Sequence, residues 1–109
     1  MFVNGYRSMW LLVMFDLPTK TKTERQRYTR FRKHLLEDGF THMQHSVYKR
    51  SCSSLEKAET HLRRLERHLP KFGDVRVMTI TDKQYEKMQI YWGKSRQPVE
   101  NAPTQLLFF

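Results

Sequence analysis

Six apolar residues in succession, Trp10 to Phe15, end on an acid, Asp16. The run shows no polar alternation, which suits a central strand covered on both faces rather than a strand with one wet side. Leu17-Pro18 terminates it. Asp16 therefore sits at the end of a buried strand, on the rim of a sheet. In α/β proteins such rims and their loops commonly carry chemistry. Two readings of Asp16 compete: a residue that caps a turn, as Asp often does, or a ligand for a divalent metal.

The segments that follow restrict the fold further. Thr21 and Glu24 in "TKTKTERQ" have the spacing of a capping box, in which each side chain bonds the other residue's backbone N–H. The spacing predicts a helix from about Lys22 to Asp38, with Tyr28, Phe31 and Leu35 on one face, Leu36 beside them and Gly39 as the stop. "FTHMQHSVYKR" is rich in β-formers without helical period, and reads as two short strands meeting near Gln44-His45. Ser53, with Glu56 three residues on, predicts the start of a second helix. Leu55, Ala58, Leu62, Leu65 and Leu69 form its apolar stripe, and Pro70 and Gly73 end it. "DVRVMTIT" reads as a strand, "DKQYEKM" as one helical turn and "QIYWG" as a further short strand. Residues 94–105 are polar with two prolines and read as a linker before the apolar "LLFF".

The order β-α-β-β-α-β is the α+β, ferredoxin-like arrangement: an antiparallel sheet with two helices on one face. We expect this domain over residues 1–93, and a linker and C-terminal strand over 94–109. An exposed apolar tail is a liability. Leu106 to Phe109 are therefore expected to add a strand to a sheet edge, and reciprocal exchange would build a twofold homodimer.

Charge narrows the partners. Lys and Arg total 20 against 11 Asp and Glu, a formal net charge of +9. Such an excess favours a polyanion, most commonly nucleic acid. A membrane surface fits less well, since no long apolar helix face backs the charge, and no run approaches the ~18 apolar residues of a membrane span. Arg7 before an apolar run has the outline of a signal peptide, but the run ends at Asp16 without a small-residue cleavage site. The single cysteine, Cys52, forms no internal disulfide and suggests a reducing, cytoplasmic compartment.

The basic residues cluster. Lys20, Lys22, Arg25, Arg27, Arg30, Arg32 and Lys33 face Glu24 alone between positions 20 and 33. On a helical wheel Arg27, Arg30 and Lys33 fall away from the apolar face, while Arg25 and Arg32 border it. A merely solvated face would mix signs, so phosphate contact is the better reading of Lys20, Lys22, Arg27, Arg30 and Lys33. The second helix balances Lys57, Arg63, Arg64 and Arg67 with Glu56, Glu59 and Glu66, and looks structural. The five histidines make no metal-spaced set with Cys52, and all read as structural or incidental. No Gly-rich phosphate loop and no Ser-His-Asp set is present.

A first strand ending in Phe-Asp-Leu-Pro, the basic helix closing in "FRKHLLEDGF", "QHSVYKR" before a helix, and "DVRVMTITDKQYEKM" together resemble the CRISPR-associated endoribonuclease family. This is the smaller of the two universal spacer-acquisition proteins, and the closest likeness is to members from type II systems. The resemblance spans about Trp10 to Phe109. It implies a ferredoxin-like homodimer whose C-terminal strands cross to the partner. It further implies that Asp16 of both protomers binds Mg²⁺ for cleavage of RNA or DNA, and that the dimer bridges integrase subunits while holding duplex spacer DNA. Many relatives carry an acid after the aromatic of the Ser-Val-aromatic motif, where this chain has Lys49. That leaves Asp16 with less acidic company.

Two alternatives share the fold. An mRNA-cleaving toxin would also carry a strand-end aspartate. A non-catalytic RNA-recognition module would need a Lys/Arg-Gly-aromatic pattern on a central strand, which "DGFTHM" does not supply.

Overall fold

The computed structural model describes residues 8–100. β1 (Met9–Asp16), α1 (Lys22–Glu37), β2 (Thr41–Gln44), β3 (Val47–Cys52), α2 (Leu55–Glu66) and β4 (Asp74–Thr81) follow in that order. The strands form one sheet in the order β2-β3-β1-β4, every neighbouring pair antiparallel. This is the ferredoxin-like fold expected from the sequence. α3 (Asp82–Glu86) and a hairpin of β5 (Ile90–Trp92) and β6 (Ser95–Gln97) complete it.

Local chemistry accounts for the helix boundaries. Thr21 accepts from the Glu24 N–H at 3.1 Å, and the Glu24 carboxylate accepts from the backbone N–H of Lys20 and Thr21 at 2.9 Å. That capping box starts α1 where the sequence predicts, and a cap of this kind contributes about 1 kcal/mol. Gly39, at φ +88°, ends the helix. α2 departs from expectation by one residue. Its cap is Ser54, which accepts from the Lys57 N–H at 3.2 Å, not Ser53. Glu56 therefore serves the first turn through the helix dipole alone.

The core lies between the helices and one sheet face. Leu11, Val13 and Phe15 of β1 are buried there with Phe31, Leu35, Tyr48, Ala58 and Leu65. Leu36 is exposed, because one helical step carries it about 100° away from Leu35. Leu69 is exposed too, since α2 ends at Glu66 before the stripe reaches it.

The other sheet face corrects the expectation that β1 is covered on both sides. Register places Trp10, Leu12 and Met14 beside Ile80, Met78 and Arg76 on that face. Among the described residues only the Trp10 end is covered, where Tyr85 and Val99 are buried against it. Leu12 and Met14 are half-buried and Met78 is 50% exposed. The stretch read as a linker is ordered in its first part: it supplies β6, then brings Val99 under this cluster. Leu106 to Phe109, expected to exchange between protomers, lie outside the described residues.

Candidate functional site

Asp16 is the last residue of β1, and its position is set by its neighbours. Phe15 and Leu17 on either side are both buried. The Phe15 ring meets Phe31 edge-on at 5.1 Å and lies near Tyr28 and Tyr48. The Phe15 N–H donates to the Ser46 carbonyl at 3.0 Å, and the hydroxyls of Tyr28 and Ser46 are 3.1 Å apart. The β2–β3 turn, with Ser46 at φ 57°, is thus tied to both β1 and α1. Between these anchors the Asp16 side chain is exposed. None of the hydrogen bonds or ion pairs among the described residues engages its carboxylate.

Asp16 stands between two depressions. One is lined by Asp16, Arg25, Tyr28, Thr29, His45 and Ser46. The other adds Met14, Asp74 and Arg76 to Asp16 and His45. Two of these residues escape a reading of the sequence alone. His45 looks incidental there, yet the turn brings it to both sides of Asp16. Asp74 opens β4 directly opposite Asp16 in the antiparallel register. The signal for Asp74 is latent in the fold assignment. If β4 runs antiparallel beside β1, the first residue of one falls near the last of the other.

Facing carboxylates repel, and Arg76 offsets this. Its Nε and a terminal nitrogen reach the two Asp74 oxygens at 3.2 and 3.3 Å. Those bonds hold the fully exposed guanidinium's pKa above its ordinary range.

Mg²⁺ commonly takes one or two carboxylates and keeps several waters. The exposed, unengaged Asp16 fits that requirement as one carboxylate, whereas both oxygens of Asp74 across from it are taken by Arg76. The described residues contain no cluster of three or more His, Cys, Asp or Glu able to enclose an ion, so the site is an open one. A carboxylate from a second copy of the chain would add to it.

The basic residues divide into groups. Lys22, Arg25, Arg30 and Lys33 line one groove along α1, with Gln26 and Thr29 between them. Arg25 also donates to the carbonyls of Thr19 and Lys20. Arg27 turns away: its guanidinium carbon lies 5.2 Å from the centre of the Phe72 ring. Lys20 is exposed on the capping turn, where Glu24 already takes the free N–H groups. Arg32 donates to the Tyr48 hydroxyl at 2.8 Å and belongs to the packing.

Lys49, noted for its place in the motif, is only 8% exposed. Its ammonium donates to Glu100 at 2.9 Å and to the Tyr85 hydroxyl at 3.1 Å. Burial pulls the Lys49 pKa down, but these bonds outweigh it and hold the value above the ordinary one. The Lys49 bond is also the main reason the Glu100 carboxyl sits below its ordinary range. Lys49 therefore clamps residues 98–100 to the sheet and is not a loose cation beside Asp16. Elsewhere, His61 and Arg64 bond the two Asp38 oxygens, tying the end of α1 to α2. His34 and His68 stack between the helices, ring centres 3.7 Å apart.

Comparison with known proteins agrees with this architecture. The family model described as "CRISPR associated protein Cas2" matches residues 9–88. The CRISPR-associated endoribonuclease Cas2 of Parvibaculum lavamentivorans is 54% identical over 101 residues, covering 93% of this chain and 100% of that protein. Its namesake from Flavobacterium psychrophilum is 50% identical, covering 96% of this chain and 90% of its own length. The one from Paracidovorax avenae is 48% identical, with 98% and 99% covered. A solved structure described as "Crystal structure of cas2" superposes with a TM-score of 0.55 at 21% identity, covering 85% of this chain and 95% of that one, and supports the fold. A strand-end acid on a ferredoxin-like sheet and relatives of half-identical sequence over nearly their full lengths lead to one conclusion: the chain belongs to the CRISPR-associated Cas2 family.

Proposed function

We propose that this protein is a CRISPR adaptation factor. As a homodimer it binds duplex DNA between integrase subunits and retains a Mg²⁺-dependent endonuclease site for RNA or DNA. The observation that carries the nuclease reading is the Asp16 carboxylate, exposed between two depressions and held by buried neighbours on both sides. The relatives' printed name, endoribonuclease, supports RNA as a substrate. Family membership also favours this reading over the toxin of the same fold.

Asp16, with its copy from the partner, would hold the ion. Mg²⁺, when bound, supplies an activated water and offsets charge on the phosphate. Arg25, which lines the same depression as Asp16, orients a phosphate from the α1 side. Lys22, Arg30 and Lys33 continue the track along the helix, where contact with the backbone needs no base reading. The dimer doubles the charge of +9, which suits a scaffold gripping duplex from without. The open sheet face with Leu12, Met14 and Met78 supports self-association, because it leaves apolar surface and Asp16 on one side.

The test compares wild type with Asp16→Asn, which keeps the shape and removes the charge. The variant should lose Mg²⁺-dependent cleavage of RNA and DNA, and also the rise in melting temperature that Mg²⁺ gives the wild type by mass action. It should still fold, dimerise and bind duplex. Cleavage at the wild-type rate by Asp16→Asn would show that Asp16 merely ends a strand.

A further inference from the structure

Among the described residues His45 is the one histidine that packing leaves over. The rings of His34 and His68 stack at 3.7 Å, His61 bonds Asp38 at 2.8 Å, and the His42 ring lies 5.1 Å from that of Tyr48. His45 is exposed, and no hydrogen bond or ion pair among the described residues engages its ring. Its place is nevertheless fixed. It lies in the two-residue loop between Gln44 and Val47, which pair to close the β2–β3 hairpin. Such loops ordinarily use Gly, Asn or Asp, which tolerate a positive φ. Here the pair is His45-Ser46, and Ser46 takes the φ of 57°. A register shift between His42 and Gln44 adds an irregularity just before the loop. Bulges re-aim side chains, and strained non-glycine residues gather at working sites. Ser46 also holds the loop down: its carbonyl accepts from the Phe15 N–H at 3.0 Å, and its hydroxyl lies 3.1 Å from that of Tyr28. The end of β1 is fixed as well. Gly73 is at φ +105°, and a Cβ there would fall 2.9 Å from the Asp16 carbonyl oxygen, so the α2–β4 loop is seated on β1.

We propose that His45 is a catalytic residue of the nuclease site, donating a ring N–H from the hairpin loop to the phosphate cleaved at Asp16, an inference that rests on the proposed nuclease function. Arg25 and His45 both line the depression that holds Asp16, so a phosphate there meets one donor from α1 and one from the loop. His45 and Ser46 also line the second depression, but the Ser46 hydroxyl already faces Tyr28. A histidine ring offers at least one N–H whether neutral or protonated. In hydrolysis the water oxygen bonds phosphorus, and the bond from phosphorus to the departing sugar oxygen breaks. The water yields its proton to solvent and the departing oxygen takes one from solvent, so His45 transfers none. Its share is a hydrogen bond that strengthens as charge gathers on the non-bridging phosphate oxygens. The bond is made to phosphate alone, so it serves RNA and DNA equally.

His45→Ala and His45→Gln are compared with wild type and Asp16→Asn in cleavage of RNA and of DNA with Mg²⁺. His45→Ala should lower kcat roughly a hundredfold, the value of one such donor, with KM little changed. His45→Gln keeps an N–H donor and should recover most of the loss. Both variants should melt with wild type, because the side chain is exposed. A second measurement needs no cleavage. In proton–nitrogen NMR spectra without Mg²⁺, the His45 ring signals should shift when a short phosphorothioate strand is added, and those of His61 should not. His45→Ala cleaving at the wild-type rate overturns the role. So does His45→Gln no more active than His45→Ala, or a His45 signal that does not move. In each of these cases an inactive Asp16→Asn beside an active wild type leaves the nuclease reading intact, whereas a wild type that cleaves neither nucleic acid overturns both.

Discussion

Gly73 is the residue on which the geometry of the rim turns. A side chain there meets both a left-handed φ and the backbone of Asp16 and Leu17. Gly73→Ala should lower stability by about 1–3 kcal/mol, a melting shift of at least about 4 °C for a domain this size. An unshifted melt would show that the loop is not seated on β1. The His34–His68 stack makes a second residue-scale prediction. The His34 Nε2 is buried with no hydrogen-bond partner among the described residues. Burial, then the neighbouring His68, pulls the His34 pKa below its ordinary value, with Arg64 adding to this and Asp38 and Glu37 opposing it. A base whose pKa is depressed by folding resists protonation in the folded state. Its contribution is therefore whole above about pH 6.5 and declines as pH falls below that. Melting temperature should drop between about pH 7 and pH 5, and His34→Phe, which still stacks but cannot titrate, should reduce the drop. Single residues are readable in the sequence where their setting is local. Asp16 announces itself by ending an apolar run. Asp74 and His45 do not, because their nearness to Asp16 depends on strand register and on a turn tied down from two directions.

At the level of elements, α1 combines two jobs, and its sequence declares both. The capping box is a matter of a few adjacent residues, so it is legible in full. The lopsided charge is legible as a total, but not which cations share a groove. That depends on Arg27 finding Phe72, a residue 45 positions away in the chain. Changing Lys22, Arg25, Arg30 and Lys33 together to Ala should flatten the log-log salt dependence of duplex binding, by about 0.9 for each phosphate that is no longer neutralised. Arg27→Ala alone should leave the duplex slope as it is, and isothermal titration at several salt concentrations distinguishes the two. The stretch after β6 is the least legible, because polar residues with prolines look like a linker whether or not they dock. It docks through Lys49 and Glu100. The Glu100 pKa is depressed, so this ion pair persists through the ordinary carboxylate range and breaks as pH falls through the lowered value beneath it. Lys49, with a raised value, keeps its charge throughout. Acid should therefore release residues 98–100. Trp10 stacks on Tyr85 at 3.9 Å in the same cluster, so its fluorescence should change below about pH 4 in wild type. In Lys49→Met the same change should already be present at neutral pH.

For the whole molecule, the alternation of strand and helix signals is enough to give the ferredoxin-like fold. What it does not give is the coverage of the sheet. A run as apolar as Trp10 to Phe15 reads as doubly buried, yet one protomer leaves Leu12, Met14 and Met78 facing outward. Among the described residues nothing covers that part of the face, which is why a dimer interface is proposed there. Met78→Glu, at the exposed centre of that face, should weaken self-association without unfolding the monomer. Light scattering across a dilution series checks this, and a dimer as tight as wild type would place the interface elsewhere. Deleting residues 104–109 in the same assay tests the expectation that the C-terminal tail holds part of a dimer.

The lodging of Asp16 between two buried neighbours also bears on how such a protein can evolve. Phe15 and Leu17 carry the packing, and the acid between them takes part in no hydrogen bond or ion pair among the described residues. Replacing it therefore leaves the protomer's stability nearly untouched, since exposed positions away from special features usually change stability by less than about 0.5 kcal/mol. Selection on folding and selection on cleavage act on different side chains. A lineage that needs only the scaffold can lose the acid by drift while the fold persists, so an aspartate kept at this position in a descendant records continuing use of its charge.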